Sequence, residues 1–173
     1  MGSHMMKKIA INVLILGGLI FALSNFMGCT IYKISTPEGF AKKEQPYTHL
    51  YLAVSANLSV FTIKSVENWK NGSSEHWFTV ANDDFVTNRG YEVLGEPTKI
   101  TADDGTEGMY NTYQVQVNDE QRNYLVCIFA QPERERFFVL EFQGLPEDFE
   151  EESEMVLEAI KTFKGKYGDK LRE

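Results

Sequence analysis

The sequence is short of the residues that announce chemistry. Two cysteines and three histidines are spread over 173 residues, and His4 belongs to MGSHM, a vector-derived tag at residues 1–5. His49, His76 and Cys127 offer no pair with the ligand spacing of a zinc site. No Gly-x-Ser-x-Gly elbow frames a Ser-His-Asp triad. No phosphate loop is present either, because GYEVLG at 90–95 lacks both the spacing and a following helix. Positive charge is also scarce: 17 Lys and Arg stand against 25 Asp and Glu, for a net charge of −8. A nucleic-acid binder needs a basic face to displace phosphate counterions, and a charge-held peripheral protein needs one for anionic lipid. Both classes are excluded. No catalytic residue, no metal and no cofactor is expected.

Long apolar runs are scarce as well, and there is one exception. Lys7 and Lys8 precede IAINVLILGGLIFAL at 9–23, in which Asn12 is the only polar side chain. A basic start and about 15 apolar residues have the dimensions of a signal-peptide core. The segment FMGC at 26–29 resembles the lipobox of bacterial lipoproteins. That resemblance implies lipidation of Cys29 and removal of the leader at 6–28. Thr30 in place of Asp implies sorting to the outer membrane where a cell has two. The alternative is an uncleaved apolar anchor, since the run extended to Cys29 reaches about 20 residues. Either way the domain is expected outside the cytoplasm, tied to a membrane of the bacterial envelope. Acylated Cys29 would leave Cys127 as a small buried hydrophobe, and a Cys29–Cys127 disulfide is the other reading.

Aromatics are plentiful at 13%, and apolar residues make up 43%, too much for a disordered acidic chain. Residues 29–47 read as a tether and domain entry, passing into the first edge of a domain at 48–165 that is followed by a tail at 166–173. Strands are predicted over 49–54 and 59–66, then a loop with an Asn71-Gly72 turn. A helix is predicted over 74–89, capped by Ser73 or Ser74 and stopped by Gly90, with Trp77, Phe78, Ala81 and Phe85 as its apolar stripe. Further strands fall at 91–101 (broken near Pro97), 109–117, 123–130 and 136–143. NYLVCIFA at 123–130 and RFFVLEFQ at 136–143 are apolar on both faces, so the sheet must be covered above and below. A closing helix over 147–163 has Phe149, Val156, Ile160 and Phe163 on one stripe, and its acidic first turns complement the helix dipole. The expected class is α+β: an antiparallel sheet of about six strands with helices packed on both faces.

TPEGF at 36–40, VFTIKSVEN at 60–68, NRGYEVL at 88–94, DGTEGMYNTY at 104–113 and FFVLEFQG before an acidic helix carry a resemblance to the PsbP-like fold. That fold includes photosystem extrinsic subunits, a nuclear Ran-binding factor and bacterial lipoproteins of the DcrB type. The resemblance implies an accessory or binding subunit rather than an enzyme. The expected function is therefore that of a non-enzymatic envelope lipoprotein whose domain binds a protein partner, with the alternative of a small-ligand carrier using a pocket between helix and sheet. Trp69 sits in a polar loop. With Tyr47 and Tyr51 it forms a candidate recognition patch, unless it folds back to seal the sheet edge. DDGTE at 103–107 reads as a turn rather than a calcium loop, and the acids at 147–154 as a solvated helix face.

Overall fold

The computed structural model describes residues 31–44 and 50–165. The leader at 6–28, Cys29, Tyr47, His49 and the tail at 166–173 lie outside the described residues. The strands are β1 (Tyr32–Lys33), β2 (Phe40–Lys42), β3 (Tyr51–Ser55), β4 (Val60–Glu67), β5 (Glu92–Val93), β6 (Thr98–Thr101), β7 (Glu107–Val117), β8 (Glu120–Gln131), β9 (Arg136–Gly144) and β10 (Lys164–Gly165). Helix α1 (Ser74–Asp83) follows β4 and runs on into a π-helical turn (Asp84–Asn88), and α2 (Pro146–Lys161) follows β9. The main sheet has eight strands in the order β2-β3-β4-β9-β8-β7-β5, with β6 also paired to β7, and every pairing is antiparallel.

One expectation needs correction. The sheet has eight strands rather than about six, because the predicted strand at 91–101 is split at Pro97 and the entry segment supplies β2. The entry segment also supplies β1, which pairs with β10 in a separate two-stranded ribbon.

The middle strands dictate the layers. In β8, Leu125, Val126, Cys127, Ile128 and Phe129 are all at most 1% exposed, so neither face of that strand meets water. Side chains alternate across a strand, which separates the two layers cleanly. On one face Phe163 stacks on Phe129 (5.1 Å) and meets Phe138 edge-on, while Phe149 of α2 stacks on Phe142. On the other face, Phe78 of α1 packs with Ile128, Ala130 and Phe137, and Trp77 stacks on Phe137 at 4.5 Å. Each helix thus buries its stripe against a different face. Val80 and Val86 stay partly exposed on the outer margin of the first helical segment.

Local signals act as the residue types require. Ser73 caps α1 by accepting from the His76 amide, while the Ser74 hydroxyl donates to the Glu107 carbonyl and accepts from the Ala130 amide. Those two bonds pin the helix start to β7 and β8. Asn118 and Asp119 both adopt positive φ, the backbone of a two-residue hairpin between β7 and β8. In α2 the acidic face is not wholly solvated: Glu152 is buried and accepts from Asn57 in the β3–β4 hairpin.

The sheet has two distinct ends. Glu67 and Gln131 both pair with Arg136, so β4 and β8 finish where β9 begins. The β1–β10 ribbon lies at this end, since a Cβ on Gly165 would fall 2.1 Å from the Gln131 side chain. We call it proximal; the β3–β4 and β7–β8 hairpins and the start of α2 form the distal end. Among the described residues, no helix is long and apolar enough to cross a membrane.

Phe163 contacts both β8 and β9 from outside α2 and is fully buried. Phe163→Ala is expected to destabilise the domain by about 3–5 kcal/mol, the usual cost of emptying a buried phenylalanine site. The urea midpoint checks this, and a change below about 1 kcal/mol, the scale of an ordinary surface substitution, would remove Phe163 from the core.

Candidate functional site

Covering the sheet on both faces is only partly achieved. The α2 face is closed, with Tyr51, Ala53, Phe61, Ile63, Leu140 and Phe142 all at most 2% exposed. On the opposite face α1 lies against β7 and β8 and leaves β3, β4 and the distal half of β9 without a helix. The result is a trough of about 460 Å³ beside the π-helical turn. Leu52, Val60, Thr62, Lys64, Glu141 and Gln143 form its floor, and Phe85, Arg89, Tyr91 and Tyr124 form its wall.

The wall is built by the break in helical register. In the π-helical turn the Arg89 amide reaches back to the Asp84 carbonyl and the Tyr91 amide to that of Phe85. Such turns are frequent at functional sites. Phe85 packs against Tyr91 (5.3 Å) and Tyr113 (5.4 Å), and Tyr91 meets Tyr124 at 5.2 Å. The Arg89 guanidinium lies 4.8 Å from the Phe85 ring centroid and is ion-paired to Asp84 at 2.7 Å. Hydrogen bonds from Asn88 and Arg89 hold the Asp84 carboxyl below its ordinary value. On the floor, Lys64 and Glu141 pair at 2.7 Å across β4 and β9, and the Tyr124 hydroxyl donates to Gln143 at 2.6 Å.

The trough sets an ion pair and an arginine beside three aromatic rings. Its charges are paired, its aromatics are held in stacked and tilted contacts, and most lining side chains are only half-buried. Among the described residues, no three His, Cys, Asp or Glu side chains lie together as a metal cluster. Cys127 is fully buried, and desolvation pushes its thiol well above the ordinary range. The DDGTE segment is a turn: Gly105 has φ +85°, its amide donates to Ala102, and Thr106 donates to Asp104. His76 is exposed in the first turn of α1, its ring edge-on to Trp77. A second, larger groove of about 820 Å³ runs between residues 35–38 and the C-terminal half of α2. There Lys161 is already paired with Glu158, and no aromatic cluster lines the walls.

The candidate aromatic patch does not assemble as expected. Trp69 is 78% exposed, so it neither seals the sheet edge nor packs inward. Tyr51 is 2% exposed: the strand alternation turns it onto the α2 face, where it packs on Phe61 and donates to Thr36 at 2.9 Å. Tyr51 pairs with Ile63, six residues before Trp69, or about 20 Å along an extended chain. Tyr47 lies outside the described residues. The trough residues Lys64, Arg89, Tyr91, Tyr124 and Glu141 were not singled out from the sequence. A signal for them exists, because Glu141 and Gln143 put polar side chains on the same face of β9 as Phe137 and Val139, marking the point where cover stops.

No family model matches the chain, and no curated protein matches it. Solved structures do. The sheet and helices superpose on cyanobacterial PsbP (CyanoP) from Synechocystis sp. PCC 6803 with a TM-score of 0.55 at 12% identity, over 80% of this chain and 89% of that one. The chain has the PsbP/Mog1-like fold. The Ran-binding protein Mog1p of Saccharomyces cerevisiae gives a TM-score of 0.56 at 12% identity, over 80% of this chain and 92% of that one. LpqN, involved in cell envelope biogenesis of Mycobacterium tuberculosis, gives 0.61 at 10% identity, over 77% and 82%. At such identities the likeness speaks to fold alone.

The tyrosine cluster has a pH signature. Burial pushes Tyr113 up to about 12, and burial together with neighbouring Tyr91 does the same for Tyr124. Both phenols stay neutral in the fold where an unfolded chain would ionise them. Their contribution to stability is therefore intact below pH about 10 and lost as pH rises toward about 12. Burial also raises Tyr32 and Tyr51, so phenolate absorbance should show a late-ionising group of tyrosines that includes Tyr113 and Tyr124, with one fewer in Tyr113→Phe. A chain in which all tyrosines titrate near pH 10 would contradict this burial.

Proposed function

We propose that this chain is a non-enzymatic, membrane-anchored domain of the bacterial cell envelope that binds a protein partner through the trough beside the π-helical turn. One observation carries the proposal: α1 covers half of its sheet face and leaves an aromatic and ion-paired surface open. Fixed tyrosines beside an arginine are the residue types that dominate binding energy at protein interfaces. The paired charges on the floor favour orientation and partner choice over raw affinity. The leader and the FMGC segment support the anchored part of the reading, and the shared fold with LpqN supports an envelope setting by analogy.

A photo-crosslinking residue placed at Leu52 or Gln143, both in the trough, is expected to capture one discrete envelope protein in intact cells. The same residue at Val80, on the outer margin of α1, is expected to capture none, and Tyr91→Ala is expected to weaken capture from the trough. Equal capture from Val80, or none from the trough, would count against the proposal. A second reading is favoured by the volume of the trough, which falls within the range of small-molecule sites. A carrier would show a bound small molecule by native mass spectrometry, displaced in Tyr91→Ala, with no protein adduct.

A further inference from the structure

Trp69 has no role in the trough, yet the fold holds it out with care. The backbone on either side of it is fixed by Asn68, which is fully buried. The Asn68 amide donates to the Glu135 carbonyl, its side-chain amide donates to the Gly72 carbonyl, and its side-chain oxygen accepts from the Gly72 amide and the Trp77 indole. Asn71 closes the loop in the left-handed region at φ +52°. Gly72 passes so close to Trp77 that a Cβ there would sit 2.6 Å from the indole nitrogen. The loop path is thus set by packing, and it leaves the largest side chain of the set 78% exposed with Val66, 41% exposed, just before it.

We propose that Trp69 is a lipid contact that seats the proximal end of the domain in the interface of the bilayer holding its N-terminal anchor. The proposal rests on the anchored reading above. Position selects this occupant. Cys29 precedes Tyr32 by three residues, which reach at most about 10 Å even when fully extended. Tyr32 pairs with Gly165 at the proximal end, beside Gln131. From Gln131 through Arg136 to Glu67 is two strand spacings, about 10 Å, and Trp69 follows two residues later. On the anchored reading, so short a chain tethers the domain by this end. An indole prefers that interface, where its ring meets acyl chains and its N–H meets water. Trp69 is flanked by a balanced set of charges, Glu67, Lys70, Glu135 and Arg136. The contact is aromatic and needs no anionic lipid.

The test uses the full chain taken from its native membrane and reconstituted in phosphatidylcholine vesicles, with and without acyl-brominated phosphatidylcholine as the quencher. Wild-type protein is expected to float with the vesicles and to lose most of the Trp69 emission to the brominated lipid. Trp69→Phe should float equally, keep its fold because the side chain is exposed, and show no quenching beyond the Trp77 background. Adding Leu58→Trp to that variant places a reporter on the distal hairpin and should not restore quenching. Flotation without Trp69 quenching, or quenching of the distal reporter instead, overturns the lipid contact and leaves the anchor standing. A chain that does not float overturns both.

Discussion

The structure depends on one constraint: β8 and the first half of β9 are apolar on both faces and must be shielded from water twice. Five consecutive residues of β8 are essentially without exposure. At about 25 cal/mol per Å² of apolar surface, leaving either side open would cost more than a domain of this size has in reserve. Two layers follow of necessity. One is α2 with Phe163 and the incoming segment, joined through Ser35 to Thr162 and Tyr51 to Thr36. The other is α1, pinned at its start by Ser74. The 820 Å³ groove and the trough are what remains where these layers stop.

The unequal cover makes the two faces of the sheet different. The α2 face is closed over β3, β4 and β9 and opens at the 820 Å³ groove beside Ile100 and Tyr110. The α1 face is closed only over β7 and β8, and the polar alternation of Thr62, Lys64, Glu141 and Gln143 allows the remainder to face water without loss. The π-helical turn then brings Phe85 and Arg89 to the rim of that open region rather than along the helix axis. Direction is set by the chain itself: Tyr32 enters at the proximal end, and the trough lies toward the distal half. The anchored domain we propose would present the trough away from the bilayer.

Most of this architecture was legible in the residues because burial dictates periodicity. NYLVCIFA and RFFVLEFQ announced a doubly covered centre, and the stripe from Trp77 to Phe85 announced the helix that covers it. Turn residues were equally readable: Asn71-Gly72, Asp104-Gly105 and Asn118-Asp119 all sit at turns. What escaped was decided by long-range pairing. Residues 32–33 and 40–42 have no strand pattern of their own and become strands because β10 and β3 offer partners. The π-helical turn left no mark in composition, and Glu152 looked solvated until the β3–β4 hairpin closed over it. Tyr51 was misplaced as part of an exposed patch because its parity in β3, not its neighbourhood in sequence, fixes its face. The exposure of Trp69 follows from Asn68, which hydrogen-bonds to Glu135, Gly72 and Trp77 in three separate segments.

An anchored binding domain is an assertion about covalent chemistry as much as about shape. Mass spectrometry of the mature protein from its native membrane tests it most directly. The expected species begins at an acylated Cys29, without residues 6–28. An intact leader with a free Cys29 thiol would contradict the lipoprotein reading and leave a chain held by its apolar run alone.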